Sequence, residues 1–264
     1  MQAADTNTED QLAATIGALR SDGFNMDLCR WLESCLEYDN ITALAYFHDR
    51  APMALITQSR QPLVHKKFHE LYLTGAYLLD PFHDLHIRKV PPGVYRLSDI
   101  APDQFHRHRY FLDYYRKTTM VDEFAFVSYP SKGVSLHVCL GRDDHSNQRF
   151  TARDIRTARR IAPLVVALTQ AHWHYLTSQG KGSESGLISN LIDALKARHG
   201  VTLSPRQAQV AILVLRGHSS VSIGLKLGIS PLTVKVFRKQ LYKKCRISSQ
   251  AELFQLLLPL LGNQ

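Results

Sequence analysis

The sequence predicts two unlike parts. The first is an α+β domain with an antiparallel sheet of about five strands flanked by helices, and the second is an all-α domain of four helices. Three observations point there. Five short apolar runs with strand character fall before residue 141, interleaved with helical spacings. Between residues 203 and 246, two Ser-Pro helix starts sit on either side of a glycine turn. Charge divides the same way: residues 187–264 carry 11 Lys/Arg against 2 Asp/Glu, a net of +9, while residues 1–186 carry 21 of each. The excess positive charge therefore lies wholly on the second part, as phosphate contact requires.

The elements follow in order. Helical spacing begins near Glu9 (Leu12, Ile16, Leu19), and a second helix runs from Asn25 to about Tyr38. Ile41–Phe47 (ITALAYF) and Ala54–Thr57 read as strands. Val64, Phe68, Leu71, Tyr72, Gly75 and Leu79 share one face of a long helix over 63–79, which stops at Asp80-Pro81. Val94–Leu97 is a short strand, and Ser98–Pro102 a loop. Asp103 caps an aromatic-rich helix to about Thr118 (Phe105, Tyr110, Phe111, Tyr114, Tyr115). Glu123–Tyr129 and Val134–Leu140 form a hairpin around Pro130-Ser-Lys-Gly133. A long helix from Thr151 through Trp173 follows, with a kink expected at Pro163. This order is that of PAS-like and GAF-like sensor domains. We expect a regulatory domain over 1–177, a flexible linker over 178–186 (SQGKGSESG) and a DNA-binding domain over 187–264 with its core at 203–258, preceded by an amphipathic helix from Leu187 to about Arg198.

In that core, Ser204-Pro205 with Gln207 is a capping box that opens one helix, and Arg216-Gly217 ends it. A second helix spans about 220–227. Gly228-Ile229-Ser230 turns the chain, and Ser230-Pro231 opens a third helix to about Cys245. Val234, Phe237, Leu241 and Cys245 face inward; Lys235 and Lys239 lie opposite, flanked by Arg238, Lys243 and Lys244. That is a helix-turn-helix with a basic outer face. A small bundle with a solvated charged face is the alternative. The quoted residues, together with Leu203, Arg206, Ile223, Leu227, Thr233, Ile247 and Ala251-Glu252-Leu253, resemble the LuxR-type (GerE-type) DNA-binding domain over about a quarter of the chain. Departures are Gln207 and Gln209 for glutamate, Gly224 for alanine, Phe237 for histidine and Cys245 for leucine. Gly224 is expected to weaken its helix by up to about 1 kcal/mol. The resemblance implies major-groove entry by the third helix and binding as a homodimer.

Lys235 is the first candidate for a base contact, with Thr233 and Lys239 next; Arg238, Lys243 and Lys244 suit phosphates. Amides at the starts of the second and third helices, where Ser230 caps, add phosphate sites. A last helix opens at Ser249-Gln-Ala-Glu252. Leu253, Leu256, Leu257 and Leu260 on it are candidates for a two-fold contact, with packing on its own core as the alternative.

For the signal, Phe68, Tyr72, Tyr77 and Asp80 are the candidate ligand residues. Phe68, Tyr72 and Asp80-Pro81 resemble the acyl-homoserine-lactone receptor pattern of a Trp, a Tyr four residues on and a later Asp-Pro. Phe68 replaces the Trp and cannot donate a hydrogen bond to a lactone carbonyl. Ring faces beside Asp80, Asp122 and Glu123 suit an amine or quaternary ammonium compound instead. Core rings and a helix-ending turn remain the alternative, as do a protein-partner input and a cofactor-bearing sensor. No cofactor is implied. His83/His86, His106/His108 and His172/His174 lack a third ligand at metal spacing, and no nucleophile elbow or phosphate loop marks an enzyme. Four cysteines without a CxxC pair, a polar acidic start and no apolar run of membrane length predict a cytoplasmic chain with free thiols and no membrane partner. Double-stranded DNA, a small-molecule signal, a second copy and RNA polymerase are the expected partners.

Overall fold

Residues 8–66, 68–105, 115–178 and 184–261 are described by a computed structural model of the chain. In order, the elements are α1 (Thr8–Gly17), α2 (Phe24–Cys35), β1 (Asn40–Phe47), β2 (Met53–Ser59), the single turn α3 (Pro62–His65), a π-helical turn (Phe68–Tyr72), a 3₁₀ turn (Ala76–Leu79) and α4 (Pro81–Arg88). Then come β3 (Gly93–Arg96), α5 (Leu97–Ile100), a 3₁₀ turn (Tyr115–Thr118), β4 (Met120–Ser131), β5 (Val134–Asp143) and α6 (Ala152–His172). The remainder is helical: α7 (Glu184–His199), α8 (Pro205–Leu215), α9 (Ser220–Leu227), α10 (Pro231–Cys245) and α11 (Gln250–Leu261). The chain forms two compact units. One comprises 1–62, 90–99 and 120–181; the other comprises 63–89, 100–119 and 182–264. Residues 63–89 and 100–119 thus group with the C-terminal part.

The first unit is built on the five strands, in order β2-β1-β5-β4-β3, every neighbour antiparallel. All five expected strands are present, each longer by one to several residues at its ends, except that the third is shifted to end at Arg96. The period-two pattern of a strand sends Ile41, Ala43, Ala45 and Phe47 of β1, and Val134, Leu136, Val138 and Leu140 of β5, to one face. There they meet Phe24, Leu28, Trp31 and Leu32 of α2 and Ile155, Ala158, Ile161, Val165 and Leu168 of α6, all buried. Helical spacing on α2 and α6 makes each a matching apolar stripe. Replacing one of the large rings, such as Phe24, by alanine costs about 3–5 kcal/mol. α6 starts at the capping box formed by Thr151 and Asp154 and runs on unbroken through Pro163. Gly141 lets β5 pass against β1, where a Cβ would overlap the Asn40 side chain.

Four stretches depart from expectation. The helix expected over 63–79 is a series of short turns, although its apolar face is real: Val64, Phe68, Tyr72 and Leu79 are all buried. Two local causes break it. Gly75 is a poor helix former, and Asp80 must leave helical geometry (φ −74°, ψ 130°) to cap α4. Asp80-Pro81 therefore opens a helix as well as ending one. Asp103 lies in a turn, and its carboxylate accepts from the distant Ser219 amide at 3.1 Å. Of the helix expected to Thr118, residues 106–114, with Tyr110, Phe111, Tyr114 and the His106/His108 pair, lie outside the described residues, and Tyr115–Thr118 is a 3₁₀ turn. Leu97–Ile100 is a short helix where a loop was expected. The helix expected from Leu187 is present as α7 but begins three residues earlier, at Glu184 inside the expected linker, and with it the C-terminal part holds five helices among the described residues.

Candidate nucleic-acid interface and sensor residues

α8 begins at Ser204, whose side chain accepts from the Gln207 amide while Gln207 reaches back to the Ser204 amide, with Pro205 at the first helical position. Gly217 (φ 89°) and Gly228 (φ 64°) take the left-handed conformation that glycine allows, and end α8 and α9. Between α9 and α10 the chain bends by 106°, within the range of a DNA-reading helix pair. The turn is tight. The Ile229 amide donates to the Gly224 carbonyl at 3.0 Å. A Cβ on Gly224 would lie 2.7 Å from the Ile229 carbonyl oxygen. A Cβ here would need the turn to shift, so the close approach that glycine allows offsets its weak helix propensity.

Ser230 caps α10, accepting from the Thr233 amide, and the two hydroxyls bond at 2.8 Å. Val234 and Leu241 are fully buried, with Phe237 and Cys245 half-buried, so the inward stripe is as expected. Lys235, Lys239 and Lys243 are exposed, together with Leu232 (71 %) and Val236 (48 %). Residues 232, 235, 236 and 239 form one outward face at helical spacing. The Arg238 guanidinium donates to Ser220 Oγ at 3.4 Å, tying α10 to the start of α9. Lys244 has an internal job: its ammonium donates to the Thr202 carbonyl (3.0 Å) and to Gln207 Oε1 (2.9 Å), bracing the end of α10 against the cap of α8. Gln207 also donates to Gln240 Oε1 at 3.1 Å.

On α11, Leu253, Leu257 and Leu260 are buried within the unit. That is the core-packing alternative for these three; only Leu256 is half-exposed, beside an open groove shared with Ile247 and Pro259.

The four candidate ligand residues are brought together. Phe68 and Tyr72 stack with ring centroids 5.1 Å apart, Tyr77 lies 6.5 Å from Tyr72, and the Tyr72 hydroxyl donates to Asp80 Oδ2 at 2.7 Å. Asp80 Oδ1 accepts from the Phe82 amide at 2.8 Å. The three rings are buried, and burial pushes the Tyr77 phenol up to about 12. The cation reading thus meets a carboxylate that already holds two protein donors. His83 stands edge-on to Tyr77 at 5.1 Å, with His86 at 6.0 Å from it. Among the described residues no three His, Cys, Asp or Glu side chains converge on a common point.

Sequence reasoning missed one constellation. Arg216 is buried; its Nε donates to the Leu78 carbonyl at 3.1 Å, and its Nη1 lies 3.4 Å from Asp84 Oδ1. The Gln104 amide donates to the Gly217 carbonyl at 3.2 Å. Partial burial pushes the Asp103 carboxyl up, but hydrogen bonds from Ser219 outweigh it and hold the carboxyl below its usual value. His218 shares a hydrogen bond with Ser222 at 2.9 Å; burial, with Lys226 nearby, pushes its imidazole down to about 4. Apart from His218 and Ser222, the partners are over 100 residues apart in sequence, so no local pattern could have found them.

Residues 201–257 match the family described as bacterial regulatory proteins, luxR family. Over 187 residues the chain is 30 % identical to a protein named as an HTH-type transcriptional regulator in the exeN 3′ region of Aeromonas salmonicida, a match covering 68 % of this chain and 93 % of that protein. The chain belongs to the LuxR family of transcriptional regulators. LuxR-family proteins are regulators rather than enzymes. Among solved structures, the LBD domain of VqsR from Pseudomonas aeruginosa aligns with 64 % of this LuxR-family chain and 98 % of its own, at 26 % identity and a TM-score of 0.54. SdiA in complex with octanoyl-rac-glycerol aligns over 97 % of both chains at 12 % identity and a TM-score of 0.42. Among the described residues no single helix is long and apolar enough to cross a membrane.

Proposed function

We propose that this LuxR-family regulator binds a two-fold DNA site as a cytoplasmic homodimer under control of a small-molecule signal. Residues 1–177 receive the signal on a sheet-and-helix sensor of PAS/GAF type, residues 178–186 link, and residues 187–264 bind DNA and recruit RNA polymerase. The observation that carries DNA reading is the outward face of α10: exposed Lys235 and Lys239 on a capped helix set at 106° to its partner. Lys235, with Thr233 and Lys239, faces base edges; guanine N7 and O6 are the natural acceptors for a lysine. Ser230, Arg238 and Lys243 serve the backbone. Lys244 contributes mainly by holding α10, since its ammonium is bound internally.

Fluorescence anisotropy on a selected operator and on random DNA tests this. Lys235→Ala lowers the operator-to-random ratio by tenfold or more, whereas Lys243→Ala weakens both alike and flattens the salt dependence. Equal loss on both DNAs for Lys235→Ala rejects the base contact.

The signal reading is supported by the likeness to the VqsR LBD, whose name denotes ligand binding. Phe68, Tyr72, Tyr77 and Asp80 are the residues proposed to meet it. A thermal-shift series on the full chain with small amines, quaternary ammonium compounds and acyl-homoserine lactones separates the classes. A saturable rise with one class, lost in Phe68→Ala, supports the site. No rise with any class moves the input to a protein partner.

A further inference from the structure

Four links hold the α8–α9 corner to residues 78–104, and three of them use a group that suits a DNA phosphate. The Ser219 amide, at the cap of α9, donates to the Asp103 carboxylate at 3.1 Å. A helix start with free amides attracts anions, and here a carboxylate already occupies it. Arg216 is held by the Leu78 carbonyl and Asp84 (3.1 and 3.4 Å). Lys226, in the last turn of α9, lies 4.0 Å from the other Asp84 oxygen, which Arg88 shares at 3.6 Å. The Gln104 amide closes the set on the Gly217 carbonyl. Between the two sides is a cavity of about 200 Å³. Arg216, His218, Ser222 and Lys226 line one wall, and Asp80, Asp84 and Asp103, with Arg88, line the other. Lys235 and Lys239 stay exposed, so the base-reading face is not what this contact covers.

We propose that Asp84 and Asp103 form an autoinhibitory latch: they occupy the phosphate-binding flank of the helix-turn-helix, and high-affinity DNA binding requires their release. The latch rests on the reading that α9 and α10 face DNA. Each carboxylate satisfies a group that a phosphate oxygen would otherwise take, so DNA and the latch compete for Arg216, Lys226 and the α9 amides. The competition is electrostatic and sequence-independent. The latch is also in line with the sensor residues. Asp80, which holds the Tyr72 hydroxyl, caps α4, and Asp84 lies one turn further on. A signal that moves Asp80 moves the carboxylate on Arg216.

The test uses the full chain and random-sequence duplex DNA. Asp84→Ala/Asp103→Ala is compared with Asp144→Ala/Asp193→Ala, a control that removes two exposed carboxylates elsewhere and so matches the change in net charge. The latch variant binds at least tenfold tighter than the unaltered chain, with a salt slope steeper by about 1–2, and the control changes affinity by less than twofold. Equal behaviour of the two variants overturns the proposal. Binding by the unaltered chain at low salt checks the DNA reading separately. Hydrogen exchange on the unaltered chain needs no folded variant. Saturating DNA speeds exchange of amides in residues 81–88 while protecting 219–222; protection of 219–222 with no change in 81–88 also overturns the latch.

Discussion

Residues 203–246 and residues 63–89 lie in the same unit, yet they are determined in different ways. The first stretch is written locally: each helix start is a capping serine, followed by proline at α8 and α10, each end before the turns is a glycine with positive φ, and the stripe between is regular. The second stretch carries an equally clear apolar face, but its helix is broken into three pieces. The same cap-plus-proline signature, at Asp80-Pro81, opens α4 there. A local signal is decisive when neighbouring signals agree with it. Where Gly75 and Asp80 interrupt a helical spacing, tertiary contacts choose the backbone.

The largest effect that would sharpen this contrast is at Asp80. Asp80→Ala removes a cap and the Tyr72 partner together, and we expect a loss of about 2–3 kcal/mol in urea unfolding. Ser230→Ala removes a cap whose side chain touches only Thr233, and about 1 kcal/mol is expected. Equal losses would break the distinction between locally and tertiary-determined starts. Gly224→Ala comes next. Helix propensity alone predicts a gain of up to about 1 kcal/mol; the contact with the Ile229 carbonyl predicts a loss of about that size, read as a lower melting temperature. A rise would return Gly224 to an ordinary helix position. The smallest effect is pH-dependent. His218 is held near 4, below its ordinary 6.5, so the unfolded chain binds the proton more readily. Its stabilising contribution is fully present above about 6.5 and declines as pH falls toward about 4. In His218→Gln, the slope of stability against pH across that window is shallower than in the unaltered chain.

The five strands were legible because alternation and the Gly133 turn agree with long-range pairing, and the recognition helix because charge and stripe fall on opposite sides. Other features had no local signature. Asp103 reads as a cap in sequence, and only the fold brings Ser219, 116 residues on, to its carboxylate. Lys244 reads as one more basic residue of α10 until Thr202 and Gln207 are placed beside it. Leu253, Leu257 and Leu260 read as surplus for a small domain because the extent of the surrounding unit is invisible in the linear chain.

The order of the sheet bears on how the protein is made. β1 is an inner strand whose second neighbour is β5, and Asn40 pairs with Gly141. On the ribosome, the β1–β2 hairpin emerges with one edge unsatisfied and its apolar face bare. It must wait for about 80 further residues, on the order of 4–16 s of synthesis. During that interval the nascent chain is an open template for mispairing. Chaperone demand and inclusion-body formation should therefore track the first unit, and strains that slow translation between β2 and β5 should lower the soluble yield.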